Sequence, residues 1–255
     1  MNSKQTLVIG IGEVGGALCE VLSDSHPVLR HDLEPINFDA PIGVMHLCFP
    51  FRSATEFESA ALSYIDRFQP DLTIINGTVL PGTTRRIALA SGTAVAFSPV
   101  RGKHAHMAAD LLRYVKFVAA IDTETAARAE RHLQNHGFKT SRINLLETLE
   151  LAKLAETSYF GLLIGFAQEL NRFCEKLGAD YYEASQFFEE IDFLPRCRYF
   201  PGIIGGHCVV PNINLLLQVM PAPLLEAVLD SNAQRMIELA EEQESEAGGK
   251  AAANR

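Results

Sequence analysis

The sequence predicts a doubly wound α/β domain with a parallel sheet, followed by a smaller all-helical domain. Three observations carry this. Short apolar runs alternate with helix-length stretches through the first 145 residues. A glycine-rich turn sits between the first run and the first helix, and from Leu146 the alternation gives way to helices alone. The predicted organisation is a dinucleotide-binding domain over 1–145, a helical domain over 146–244 and a disordered tail over 245–255.

Thr6-Leu7-Val8-Ile9 is the first strand, and Gly10-Ile11-Gly12-Glu13-Val14-Gly15-Gly16 leads from it into a helix through Leu22. In that context the glycines have separate uses: Gly10 permits the tight turn, Gly12 lets main chain approach a pyrophosphate, and Gly15 lets helix pack on strand. The helix opening at Glu13 and Val14 turns its N–H groups toward the phosphates. Val28-Leu29-Arg30-His31-Asp32 reads as a second strand ending in an acid about 20 residues on, where a Rossmann fold places the group that binds ribose. Asp32 repels a 2′-phosphate, so the cofactor expected is NAD; Arg30 and His31 are the residues through which NADP would bind instead.

Further strands are read at Gly43–Cys48, Leu72–Asn76, Thr93–Phe97 and Val115–Ile121, with helices at Thr55–Arg67, Pro81–Ala90 and Glu124–His136. Glu147–Leu177 is a long helix closed by Gly178 as its left-handed cap, and Asp180 with Glu183 forms a capping box for the next. Leu162-Leu163-Ile164-Gly165-Phe166-Ala167 leaves the long helix apolar almost all round, and Gly161 with Gly165 lets another helix come close. Charged and amide residues interrupt it too often for a membrane span, so burial in a homodimer is expected.

Pro201-Gly202-Ile203-Ile204-Gly205-Gly206-His207-Cys208 presents a thiol on a glycine turn, the setting of a nucleophile when cations such as Lys153 and His207 are near. The plainer reading is a structural turn with an inert cysteine. Lys153 and Thr157 lie one turn apart on the long helix among apolar neighbours and can bracket a substrate hydroxyl, although a lysine there is more often solvated. Arg101-Gly102-Lys103-His104-Ala105-His106 follows a strand end at the carboxyl edge of the sheet. There Arg101, Lys103 and His104 suit an anionic substrate, against the plain alternative of a solvated basic loop.

A net charge of −9 excludes a general nucleic-acid surface, and 47% hydrophobic residues suffice for a large core. Five cysteines without CxxC spacing fit a reducing cytoplasm, and eight histidines without ligand spacing exclude a metal cluster.

These residues together resemble the UDP-glucose, GDP-mannose and UDP-N-acetylmannosamine 6-dehydrogenases. The resemblance runs from the N-terminal glycine turn through Asn76-Gly77-Thr78-Val79-Leu80-Pro81-Gly82-Thr83-Thr84 and Ser98-Pro99. It continues through Glu150-Leu151-Ala152-Lys153-Leu154-Ala155-Glu156, Phe166-Ala167-Gln168-Glu169-Leu170 and Leu177-Gly178-Ala179-Asp180 to Gly205-Gly206-His207-Cys208. It implies an NAD-dependent oxidation of an alcohol, with Cys208 as thiol nucleophile, Lys153 as the cation for the oxyanion and Thr78 as a hydroxyl serving substrate, water or cofactor. Three positions depart from the family: Val100 replaces a glutamate, Thr157 an asparagine and Asn212 an aspartate. No counterpart of the family's C-terminal nucleotide-gripping domain follows the helix of Leu224–Leu239. Two functions are therefore expected to compete. One is an NAD-dependent dehydrogenase acting on a CH–OH group of a sugar-nucleotide-like or other anionic substrate; the other is a non-catalytic dinucleotide-binding or regulatory protein of that descent. Glu147 and Glu150 are the acids nearest in sequence to Lys153 that can stand in for a lost general base.

Overall fold

The computed structural model describes residues 4–23, 27–32, 40–102, 106–189, 191–192 and 199–253. The chain forms two compact units, Met1–Lys153 and Leu154–Arg255.

The first unit runs β1 (Gln5–Ile9), α1 (Glu13–Ser23), β2 (Val28–His31), β3 (Ile42–Leu47), α2 (Ala54–Phe68) and β4 (Leu72–Ile75). It continues with α3 (Thr83–Ser91), β5 (Val95–Phe97), α4 (Met107–Arg113), β6 (Lys116–Ala120), α5 (Thr123–Asn135), β7 (Thr140–Arg142) and the first two turns of α6 (Leu146–Leu177). The strands form one seven-stranded sheet in the order β2-β1-β3-β4-β5-β6-β7. Alternation along the strands sorts the core into two layers. Leu7 and Ile9 of β1 face Phe57, Ala61 and Ile65 of α2 and Ile87 of α3. Val8 faces the other way, into the layer of Leu18 and Leu22 of α1, Leu111 of α4 and Ala129 and Leu133 of α5.

One expectation is corrected. The sheet is not wholly parallel: β6 runs antiparallel to β5, pairing Ala120 with Ala96 and Ala119 with Phe97. A parallel return needs a crossover long enough to carry the chain back along the sheet. The seven residues of α4 rise only about 10 Å. The chain therefore enters β6 from the carboxyl edge and runs backwards, which puts Lys116 at that edge. Elements α4 and β7 are additions to the sequence reading, and α5 returns the chain in the ordinary parallel sense to β7.

The units divide within α6, two turns later than the boundary expected at residue 145. Leu146 and Leu149 are buried in the sheet's core, which makes the start of the helix part of the first unit.

The second unit comprises the rest of α6, α7 (Tyr181–Glu189), α8 (Val209–Val219) and α9 (Pro223–Ala253). Gly178, at φ +69°, ends α6, and Ala179 N donates to Cys174 O across the cap at 2.9 Å. Asp180 accepts from Glu183 N at 2.8 Å and opens α7. Gly161 and Gly165 do admit other helices. A Cβ at Gly161 would lie 2.6 Å from the Val209 side chain of α8, and one at Gly165 would touch Val228 of α9. Ile204, Val209, Ile213 and Val228 form the core there. α9 extends to Ala253 and so overlaps the stretch read as a tail. Tyr159, Phe160, Phe166 and Phe173 of α6 remain about half exposed. Among the described residues no helix is long and apolar enough to cross a membrane.

Candidate functional site

The glycine turn lies at the carboxyl ends of β1 and β3, the point where strand order reverses and open α/β sheets take up ligands. Gly10 N donates to His31 O at 2.9 Å and Cys48 N to Ile9 O at 2.8 Å, tying the turn to both neighbours of β1. Gly10 has φ +86°, and a Cβ on it would lie 2.8 Å from Phe49 N. A Cβ on Gly15 would sit 1.8 Å from Gly10 O, so only glycine lets α1 come this close to the turn. Above Gly12 there is nothing within 4 Å, and Glu13 and Val14 begin α1 beside that space. The Asp32 carboxylate, exposed at the end of β2, lies 3.4 Å from Ile11 N. An open main-chain cradle at a helix N-terminus, flanked by an exposed carboxylate, fits a dinucleotide.

Thr78 is half-buried in the loop joining β4 to α3. That loop is clamped to α6 by Glu150, which is fully buried. Its two carboxylate oxygens accept from Gly82 N at 2.5 Å and Thr84 N at 2.9 Å. Burial raises the Glu150 carboxyl above the ordinary range, and the two amide donors act against that rise. One turn earlier, Glu147 receives Arg85 at 2.5 and 3.0 Å, and that pairing lowers its carboxyl. Glu150 thus ties the end of the Thr78 loop and the start of α3, and Glu147 ties Arg85 of α3, to the helix turn that precedes Lys153.

Two polar features lie outside the sequence reading. Lys116, 3% exposed, donates to Ser98 O at 2.7 Å and Pro99 O at 3.4 Å, and burial pushes its amine down to about 7. A lysine within Val115-Lys116-Phe117-Val118 was its only signal in the sequence. His46 of β3 and His132 of α5 meet Nε2 to Nε2 at 2.9 Å, and Asn76, leading into the Thr78 loop, meets His46 Nδ1 at 3.1 Å. Burial, with the neighbouring His132, holds His46 well below its ordinary value; burial, with His136, takes His132 to about 4.

In the second unit Cys208 is half-buried at the N-cap of α8, after Gly206 at φ +81°. Its carbonyl accepts from Asn212 N at 3.1 Å. Asn212 and Thr157, two of the three departures from the family pattern, are bonded to one another. Asn212 Nδ2 donates to Thr157 Oγ1 at 2.7 Å, and Thr157 in turn donates to Leu154 O at 3.0 Å. Asn212 is buried and committed to this contact. Val100, the third departure, packs into the core of the first unit. His207 is exposed beside Cys208. The Arg101 guanidinium lies over Phe117 at 5.4 Å and Tyr114 at 6.0 Å, whereas Lys103 and His104 fall outside the described residues. Elsewhere, burial pushes the Cys48 thiol up to about 12 and raises that of Cys19.

Residues 147–234 match the UDP-glucose/GDP-mannose dehydrogenase family, central domain. The chain is similar to the UDP-N-acetyl-D-mannosamine dehydrogenase of Pyrococcus horikoshii, 30% identical over 160 residues that cover 57% of this chain and 37% of that protein. It is similar to the protein of the same name from Methanocaldococcus jannaschii, 27% identical over 145 residues, 54% of this chain and 33% of the relative. The matched segment thus spans about a third of these curated relatives. The solved UDP-D-ManNAc dehydrogenase from Pyrococcus horikoshii superposes with a TM-score of 0.82 at 20% identity, over 97% of this chain and 72% of that one. The resemblance read from the sequence is carried by all three comparisons, the last of them for the fold.

Proposed function

We propose that the protein is an NAD-dependent dehydrogenase that oxidises a CH–OH group of an anionic, sugar-nucleotide-like substrate. The observation that carries this is the glycine cradle with its flanking Asp32; the family match over residues 147–234 supports it. Main chain at Gly10, Gly12, Glu13, Val14 and Gly15 would hold the pyrophosphate, Asp32 the ribose hydroxyls, and Thr78 the nicotinamide side. Bound NAD would supply the hydride acceptor. Lys153 would stabilise the developing alkoxide, and Thr78 and Thr157 would orient the hydroxyl as it loses its proton. Cys208 would add to the aldehyde carbon. Arg101 and His207, with Lys103 and His104, are the groups proposed for the substrate's negative charge.

A second hydride transfer from that adduct would give a thioester at Cys208, and with Asn212 donating to Thr157, and Glu147 and Glu150 paired with other groups, its hydrolysis lacks a general base worth about 10²–10⁴-fold. Where the Cys208 adduct reverses before that second transfer, aldehyde leaves with one NADH per alcohol, which is the expected stoichiometry; an adduct that is oxidised would stall as a thioester after two NADH per thiol. The same observation favours a second reading, a dinucleotide-binding protein that turns nothing over. Calorimetry with NAD and NADP, followed by NADH counting against a panel of UDP- and GDP-sugars, tests both. Tighter NADP binding would overturn the cofactor assignment. Two NADH with a carboxylate product at full rate would overturn the stoichiometry, and NAD binding without turnover would leave the second reading standing.

We place the protein in the cytoplasm as a homodimer formed through the helical unit. The half-exposed aromatics of α6 support the dimer, and Cys19, Cys48, Cys174 and Cys208, all unbridged thiols, suit a reducing compartment. Light scattering at the mass of a single 28.0 kDa chain would refute the dimer.

A further inference from the structure

The turn before Cys208 is gripped from behind by side chains for which neither the sequence pattern nor the family resemblance gives a role. Asn232, on α9 and 5% exposed, pairs with both polar main-chain groups of Ile204. Its Oδ1 accepts from Ile204 N at 2.7 Å and its Nδ2 donates to Ile204 O at 3.2 Å. One side-chain amide thus does for Ile204 what a neighbouring strand would do. Fully buried Gln168 of α6 donates to Gly202 O at 2.7 Å, its own carbonyl receiving Ser231 Oγ at 2.9 Å. Arg235 adds a hydrogen bond to Pro201 O at 2.9 Å. Beyond the exposed Gly205, Gly206 and His207, Val209 is buried against the bare face of Gly161. The thiol therefore hangs on a short bridge between two fixed points, Ile204 and Val209.

We propose that Asn232, backed by Gln168, is a positioning residue for Cys208. It acts through Ile204 and touches no reacting atom. The proposal rests on the reading of Cys208 as the site thiol. Losing one partner of a buried hydrogen bond shifts a local opening equilibrium by about ten- to a hundredfold. Asn232→Asp keeps the shape but sets a carboxylate against Ile204 O.

The test uses the full chain and two readouts that need no substrate: hydrogen exchange over residues 201–208 and the iodoacetamide rate at Cys208. Buried Cys174, in the same unit, reports any general unfolding. Arg172→Met is the control. It breaks the ties of Arg172 to Ser231 and Glu238 but no bond to the turn itself. Asn232→Asp should speed exchange at Ile204 at least about tenfold and quicken Cys208 alkylation, with Cys174 still protected. If that variant exposes Cys174, Gln168→Met replaces it as the milder substitution and should give the same pattern. Changes no larger than those of Arg172→Met would overturn the proposal. Where an accepted alcohol is found, kcat should fall while NAD affinity holds, and an unchanged kcat on a loosened turn would also overturn it. If the unsubstituted protein oxidises nothing while both local rates still respond, the dehydrogenase reading falls and the positioning of Cys208 stands.

Discussion

The two units hold their candidate site residues by different means. In the first, the glycine cradle is main chain fixed by main chain: strands on both sides of β1 anchor it, and α1 packs so closely on Gly10 that no side chain fits at Gly15. In the second, no sheet is present among the described residues. The turn carrying Cys208 is instead held by the amides of Asn232 and Gln168 and the guanidinium of Arg235. A sheet-held cradle tolerates change in most side chains but not in its glycines. A turn held by side chains should be sensitive at a few buried polar residues far away in sequence.

The largest expected effect breaks the first unit and spares the second. Gly15→Val puts side-chain carbon into the Gly10 carbonyl, which should abolish NAD binding and cost about 3 kcal/mol or more. Alkylation of Cys208 should be unaffected, as calorimetry and mass mapping on one sample can show.

Acid should divide the units next. His132 sits at about 4 in the folded chain against an ordinary 6.5, and His46 is lowered as well. Between those values the unfolded chain binds protons that the folded one refuses. Stability is therefore complete above about pH 6.5 and is lost as pH falls toward 4, by about 3 kcal/mol for His132. Of the eight histidines only His207 lies in the second unit, so hydrogen exchange near pH 5 should accelerate first around β3 and α5.

A smaller change sharpens the contrast within the first unit. Glu150→Ala leaves Gly82 N and Thr84 N without their acceptor and should cost about 1–3 kcal/mol in thermal or urea unfolding. Glu150→Gln, which keeps one acceptor oxygen, should cost less. Smallest of all, Asp32→Ala should leave folding unchanged and narrow the preference for NAD over NADP, read by calorimetry.

How much was legible follows from the range of each interaction. The cradle could be read because Gly10, Gly12 and Gly15 act on neighbours within a few residues, and a strand, turn and helix surround them in sequence. The reversal of β6 could not, since an apolar run such as Phe117-Val118-Ala119-Ala120 has no polarity of its own. In the sequence Glu150 reads as a stand-in general base near Lys153; only the arrival of Gly82 and Thr84, some seventy residues back in the chain, makes it a buried clamp. Thr157 reads in the sequence as a hydroxyl for the substrate and Asn212 as a replaced aspartate; the hydrogen bond that joins them across 55 residues has no local signal.

The burial of Leu146 and Leu149 beneath the sheet bears on how the protein is made. A nascent chain released only as far as residue 145 has every strand but lacks the two side chains that fill its lower layer. Gly82 and Thr84 also still await their acceptor at that stage. Completion of the first unit must wait until the ribosome has let out two turns of the helix that leads into the second. An excised fragment ending at residue 153 should accordingly be the shortest from this end to fold and stay soluble, while one ending at 145 aggregates.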